Sequence, residues 1–331
     1  MKEVDVAIVG GGIAGILAAR KLMEYGIDVL VMDKSKGVGG RLATRRINGG
    51  RVDHGAQFFT VRTEMFQQLV DQWEKNQWVS KWFGESHARY KATDGMNQLV
   101  KNLAGEVPLQ VLSRVERIEK KEEAYLVIPE KGDQVRAKKI LLTPPAPQSL
   151  QLLEASEVLT TGNATQALQQ IAFNPALVGL VTLKDGANTR LPLEGHQDQN
   201  LPLGIERVVD SHAKGISEER IISIYATADF SKFFYEEEDD VILTEMLHRL
   251  AYLIPDVVVA KQLKRWRYAQ ADSIYPNRFL QVTEDAGIYV AGDAFLHPDD
   301  QSGRTRIESA VMSGLSVAEE IYDSFSRRAS M

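Results

Sequence analysis

The chain of 331 residues contains no cysteine. That absence excludes disulfide cross-links, thiolate nucleophiles and cysteinyl attachment of a prosthetic group, and it suits a reducing cytoplasm. No apolar run reaches the roughly 18 residues that a membrane-crossing helix requires, so no membrane partner is expected. Long basic runs are missing too, and the formal net charge is −6, which offers a nucleic-acid backbone no footprint. The opening Met1–Lys2–Glu3 gives way at once to an apolar strand and is expected to leave no room for a cleavable signal. The acidic run Glu236–Asp240 directly precedes an apolar helical pattern and reads as a helix's first turn, so no metal is expected. Proline is sparse at 11, whereas 25 glycines allow backbone to approach a ligand closely. At this length two cores of ordinary size are possible.

What is present is concentrated at the two ends. An apolar strand through Val4, Ala7, Ile8 and Val9 runs into a GxGxxG turn, Gly10, Gly12 and Gly15, with Ile13 and Ala14 inside it. A helical run continues to about Tyr25, Gly26 stops it, and Ile27–Met32 reads as a second strand ending at Asp33. Such a unit brings bare backbone to a pyrophosphate and faces a helix amino end toward its charge. The terminal acid is then placed to accept from both hydroxyls of an adenosine ribose, and it disfavours a 2′-phosphate there. The turn alone leaves dehydrogenase and flavoprotein both open.

The next stretch narrows the choice. After Lys34 come Gly39–Gly40–Arg41, then Thr44, then Asp53–His54–Gly55–Ala56–Gln57–Phe58–Phe59. Paired glycines before an arginine let the chain pass beside a ligand while a cation reaches phosphate or ribose. These segments resemble the amine-oxidase-like FAD flavoproteins, and most closely their renalase-like branch. A second signal closes the chain. Gly287–Ala294 is a short strand ending in Gly292–Asp293, followed by a loop from Phe295 to Gly303 and a long helical pattern from about Thr305. An acid there can hold a ribityl hydroxyl, and free amides at the helix start can face a flavin pyrimidine edge.

The fold expected is α/β: a glutathione-reductase-like, Rossmann-type FAD domain with a second domain of mostly antiparallel sheet plus helices. The FAD domain is discontinuous, at 1–60, 100–145 and 285–331, and the substrate domain takes 61–99 and 146–284. Residues 61–83 read as one or two amphipathic helices, and 94–104 as an Asp-capped or Gly-led helix. Strands are expected at Val111–Leu112, Val115–Ile118, Ala124–Ile128 and Lys139–Thr143, the last ending at Pro144–Pro145. Residues 146–165 read as helical and then polar through Ala155–Glu157 and Thr160–Asn163. A helix is expected to end at Pro255, and a strand to begin at Val257.

The resemblance implies non-covalently bound FAD. Gly10, Gly12, Ile13, Ala14 and Gly15 would cradle its pyrophosphate, Asp33 and Lys34 its adenosine, and Gly40 and Arg41 would approach the phosphates. Gly55, Ala56, Gln57 and Phe58 would lie by the isoalloxazine ring, with Gly292, Asp293, Arg306 and Ile307 at the ribityl and pyrimidine side. His54 lies inside the flavin-adjacent motif and can donate a hydrogen bond to a ligand. Trp266, Arg267 and Tyr268 are candidates for the substrate side, where an aromatic stacks and an arginine engages phosphate. The branch implies hydride removal from 2- or 6-dihydroNAD(P), giving NAD(P)+, with oxygen reduced to hydrogen peroxide. Alternatives are an amine oxidase, a polyene or porphyrin desaturase, or a non-enzymatic flavin or NAD binder.

Overall fold

The computed structural model describes residues 1–156, 158–254, 258–300 and 302–329. Its opening unit is β1 (Lys2–Val9), α1 (Ile13–Glu24) and β2 (Val29–Met32). The hairpin β3 (Thr44–Ile47) and β4 (Gly50–Asp53) follows, then α2 (Glu64–Lys75) and a second hairpin, β5 (Val79–Phe83) with β6 (Arg89–Ala92). After α3 (Met96–Ala104) come β7 (Leu109–Gln110), β8 (Val115–Lys121), β9 (Ala124–Pro129) and β10 (Val135–Leu142). Helices α4 (Ala146–Ala155) and α5 (Gly162–Gln170) lead to β11 (Phe173–Leu183), β12 (His196–Gln197), β13 (Ile205–Asp210) and β14 (Ile221–Ala226). The chain closes with α6 (Ala228–Phe234), α7 (Asp239–Arg249), β15 (Val258–Ala271), β16 (Phe279–Gln281), β17 (Ile288–Ala291) and α8 (Ile307–Ala329).

Two sheets organise these elements. The first has the order β16-β17-β10-β1-β2-β7, with β8 and β9 added through β10. β1 runs parallel to both β10 and β2, and β10 parallel to β17. Its central strands read as unbroken apolar runs because both faces are covered: Val29–Met32 and Ile288–Ala291 are buried throughout. The second sheet, β12-β13-β14-β11-β15, is antiparallel at every pairing described, in keeping with the antiparallel block expected there.

The two ends of the chain meet in the first sheet. β17 joins it beside β10, and α8 lies so close to α1 that a Cβ at Gly314 would strike the Ala14 carbonyl oxygen. Only glycine permits that approach.

Some expectations shift on the structure. Trp82 and Phe83 belong to a β-hairpin rather than a second helix, and Trp78 directly precedes it. Gln77 takes φ of 59°, which ends α2 and re-aims the chain into β5. Near the expected strand at Val111–Leu112, the ladder holds only Leu109–Gln110, because Leu112 takes φ of 54° and leaves it. The helix at 94–104 is led by Gly95, and Asp94 pairs with Arg51 instead of capping. The sheets also divide the chain differently from boundaries at 146 and 285. Leu152, Leu153, Ala164 and Leu168 of α4 and α5 share a core with Ala7 and Leu142 of the first sheet. β16 pairs with β17 in that same sheet. Phe66, Val70 and Trp73 of α2 likewise pack with Ile8 and Ile16. Glu157, the helix end at Pro255 and the strand start at Val257 lie outside the described residues, as does Gln301 of the loop before α8.

Candidate active site

A cavity of about 2650 Å³ opens between the two sheets. Every candidate binding or catalytic residue named from the sequence lines it except Gly15, which stands behind the turn. The turn itself is tightly specified. A Cβ on Gly15 would run into the Gly10 carbonyl oxygen, and one on Gly10, where φ is 106°, would lie 2.5 Å from Thr143 Oγ1. Gly12 differs, since a Cβ there would meet nothing within 4 Å. Its bare side faces the cavity. Gly12 is also the N-cap of α1 and supplies no side-chain cap, and no acid sits in the helix's first turn. The helix start therefore presents unclaimed amides to the cavity, a ready site for a phosphate.

Asp33 is held by backbone on both oxygens: Oδ2 accepts from the Gly11 amide at 2.7 Å and Oδ1 from the Ser35 amide at 2.7 Å. Each carboxylate oxygen keeps lone-pair capacity for a ribose hydroxyl. Lys34 and Gly40 are exposed at the rim. Arg41 and Asp293, far apart in sequence, form a two-pronged ion pair, with Nη1 at 2.8 Å from Oδ2 and Nη2 on Oδ1. Arg41 also lies 5.5 Å from the Phe173 ring. Gly292 leaves β17 at φ of 150° and donates its amide to Ser313 Oγ at 2.8 Å. Arg306 pairs with Asp300 at 2.7 Å, just ahead of Ile307 at the start of α8.

The loop after β4 is braced against the second sheet. The Trp266 indole N–H donates to the His54 carbonyl at 2.7 Å, and the two rings stack with centroids 5.5 Å apart. His54 Nδ1 is buried without a hydrogen-bond partner. Burial first, then the charge of Lys264, lowers the imidazole to about 4 against an opposing pull from Asp53. It is therefore neutral at ordinary pH. Arg267 is exposed and its guanidinium lies 5.6 Å from the Tyr235 ring, while Tyr268 packs edge-on to Phe173. The neighbouring Arg265 is tied to Asp239. Asp240 pairs with Lys261 at 2.9 Å, so the acidic run is engaged by β15.

The sequence reading missed the cluster that holds this loop. Lys214 and Asp53 are fully buried and paired at 2.7 Å, and Lys214 also donates to the Gln57 carbonyl at 2.7 Å and to Gln57 Oε1 at 2.8 Å. Gln57 Nε2 donates in turn to the Asp53 carbonyl and to the Tyr225 hydroxyl. Tyr225 donates to the Gly55 carbonyl at 2.8 Å, and Ser223 to the Asp53 carbonyl at 2.8 Å. Asp53 Oδ1 meanwhile accepts from Thr44 Oγ1 and from the Met96 amide at the start of α3. Burial pulls the Lys214 ammonium down, and the Asp53 charge opposes it. The Gln57 side chain thus points into this network, leaving backbone as what the loop offers the cavity. Asp53 stood within a recognised motif, but nothing local marked Lys214 or Tyr225.

Comparison with known proteins decides the family. Residues 68–322 match flavin containing amine oxidoreductases, and residues 8–73 match an NAD(P)-binding Rossmann-like domain. The chain belongs to the flavin containing amine oxidoreductase family. That family is one of FAD-dependent oxidoreductases. Amine oxidase [flavin-containing] A of Sus scrofa is 50% identical over 56 residues, which is 17% of this chain and 11% of that protein. Putrescine oxidase of Kocuria rosea is 33% identical over 93 residues, 28% of this chain and 19% of that protein. The matched segments are thus small parts of those relatives. Among solved structures, one from Exiguobacterium sp. 255-15, provisionally named a protoporphyrinogen oxidase, superposes with a TM-score of 0.72 at 13% identity. It covers 97% of this chain and 98% of its own. Putrescine oxidase bound to putrescine gives a TM-score of 0.65 at 15% identity, covering 97% and 99%. At such identity the likeness establishes the fold.

The residues present fit FAD. Gly12 leaves space where a Cβ would otherwise stand, the α1 amides are unclaimed, and Asp33 is fixed by backbone at the end of β2. Among the described residues no helix is long and apolar enough to cross a membrane.

Proposed function

We propose that this protein is an FAD-dependent oxidase that takes hydride from 2- or 6-dihydroNAD(P), yielding NAD(P)+ while oxygen is reduced to hydrogen peroxide. The observation that carries the reading is the Trp266–His54 contact. It fixes the strand bearing Arg267 and Tyr268 against the loop assigned to the flavin, so aromatic and cationic side chains share the cavity wall beside it. Bound FAD supplies a hydride acceptor that oxygen can reoxidise. The residues then have to bind and orient. Gly10, Gly12, Ile13, Ala14 and Gly15 hold the pyrophosphate, Asp33 and Lys34 the adenosine, and Gly40 and Arg41 the phosphates with Asp293. Gly55–Phe58 supply the backbone by the ring, with Gly292, Arg306 and Ile307 beyond it. An electron-rich dihydropyridine needs stacking at the right spacing more than acid or base help, and a neutral His54 suits a site without proton transfer. We place the activity in the cytoplasm.

A second reading, oxidation of an amine, draws on the relatives named above. Its difficulty is electrostatic, because arginines on the wall disfavour capture of an ammonium ion. Anaerobic mixing separates the two. Either dihydro isomer should bleach the flavin band, at about 450 nm, in a fast phase, and readmitted oxygen should restore it with release of peroxide. Bleaching by an amine alone would move the protein to amine oxidation.

A further inference from the structure

Beside the Lys214 cluster, whose ammonium lies 5.1 Å from the Trp82 ring, Phe58 enters a nest of rings. It packs edge-on to Trp82, Phe83 and His196. Two arginines from different elements converge on it. The guanidinium carbon of Arg89, on β6, lies 5.6 Å from the Phe58 centroid and 4.9 Å from that of Phe83. That of Arg207, on β13, lies 5.2 Å from Phe58 and 5.9 Å from Tyr225. Both line the cavity, and both are half-buried.

Their charges are poorly answered within the protein. Among the described residues Arg89 has no carboxylate partner, and its Nε is buried without a hydrogen bond, as is Arg207 Nε. Arg207 has Glu206 at 3.6 Å, a long contact to a side chain that is 52% exposed and also lines the cavity. Asp198 also lines this part of the cavity, but it lies 3.8 Å from His196. Two other arginines of the cavity are neutralised in place, Arg41 by Asp293 and Arg306 by Asp300. A guanidinium lying on an aromatic ring keeps its in-plane N–H fork for a planar or tetrahedral oxyanion.

We propose that Arg89 and Arg207, gathered on Phe58, form an oxyanion subsite that grips a phosphate of the substrate. A carboxylate shares this chemistry, but two guanidiniums match the double charge of a pyrophosphate better. The depressed basicity of His196, held at about 4 by burial and then by Arg207, agrees with an electropositive nest. The subsite rests on the reading that this cavity takes a reduced dinucleotide. It supplies that reading with a reason to prefer phosphate-bearing substrates over bare rings and over amines.

The test uses the flavin-loaded protein. Inorganic pyrophosphate should quench the fluorescence of the Trp82 region, or shift the flavin spectrum, saturably. Arg89→Met and Arg207→Met keep the apolar stem on the rings, and each should weaken pyrophosphate binding by about tenfold or more. With 6-dihydroNAD both should raise KM by a similar factor and leave kcat near its starting value. KM for the phosphate-free dihydronicotinamide riboside should not move. Retained flavin absorbance reports that the variants fold, and the titration of the unmodified protein stands without them. Failure of pyrophosphate to bind that protein overturns the subsite, and benzoate binding in its place overturns the phosphate assignment. Arginine-dependent pyrophosphate binding with no bleaching by any dihydro isomer would keep the subsite and reject the dihydronucleotide reaction.

Discussion

The glycine turn at the start of the chain and the loop at Asp53–Phe58 face one cavity, yet they are held in opposite ways. The turn is held through its own backbone groups. The Gly10 amide donates to Met32 at 2.8 Å, Thr143 Oγ1 donates to the Gly10 carbonyl at 3.0 Å, and apolar strands on either side do the rest. The loop is fixed by buried side chains, with Lys214, Gln57, Ser223 and Tyr225 all converging on Asp53 and its neighbours. A backbone-built cradle tolerates many side chains around it and is sensitive at its glycines. A side-chain-built cradle concentrates its dependence in a few polar residues, because each partner removed strands another in a dry site.

The largest effect should therefore come from the loop. Lys214→Met removes the ammonium and leaves the Asp53 carboxylate buried without its counter-charge, which costs on the order of 3–5 kcal/mol. Chemical denaturation should show that loss, and the flavin should dissociate more readily as residues 54–57 lose their brace. Adding Asp53→Asn to the same variant should cost less than the sum of the separate changes. Strict additivity would mean that the pair acts independently and that the contrast between turn and loop is false.

The turn breaks differently at its two glycines. Gly15→Ala drives a methyl into the Gly10 carbonyl and should cost about 1–3 kcal/mol of stability with loss of flavin. Gly12→Ala adds a methyl where nothing stands within 4 Å, so stability should change by no more than about 0.5 kcal/mol. Its effect should appear in FAD binding, weakened about tenfold, or roughly 1.4 kcal/mol. Equal stability losses in the two variants would show that Gly12 is a structural glycine like Gly15.

This contrast also explains what the sequence made legible. The turn, the strand to Asp33 and the closing Gly292–Asp293 helix are each written within a few tens of residues, as a period and a spacing, and the sheet brings them together. A mostly antiparallel second sheet was expected as well, and its pairings are antiparallel. Lys214 was not, because its partner Asp53 lies 161 positions away and a lysine in a surface-like turn gives no local sign of burial. Arg89 and Arg207 were hidden for the same reason, since only the fold brings both to the Phe58 ring from distant strands. The strand at 79–83 was read as helix because dense aromatics carry no period of their own. A single left-handed residue, Gln77, decides the matter.

The effect least visible at neutral pH tests whether the loop's histidine belongs to its dry side. His54 sits at about 4, below the ordinary value of 6.5, and its imidazole stays neutral in the fold while the unfolded chain takes up a proton. Between those values the unfolded state binds more protons, so stability falls as pH drops from 6.5 toward 4 and levels off below. One such group contributes at most about 1.4 kcal/mol per pH unit. His196, also at about 4, adds a second term of the same sign. His54→Gln should therefore make the acid limb of the stability curve shallower by up to one proton without abolishing it. Denaturant titrations at several pH values across that window read the slope directly. The flavin spectrum should show no histidine-like transition between about pH 5 and 8. An unchanged slope in His54→Gln would place the imidazole in solvent contact and detach it from the braced loop.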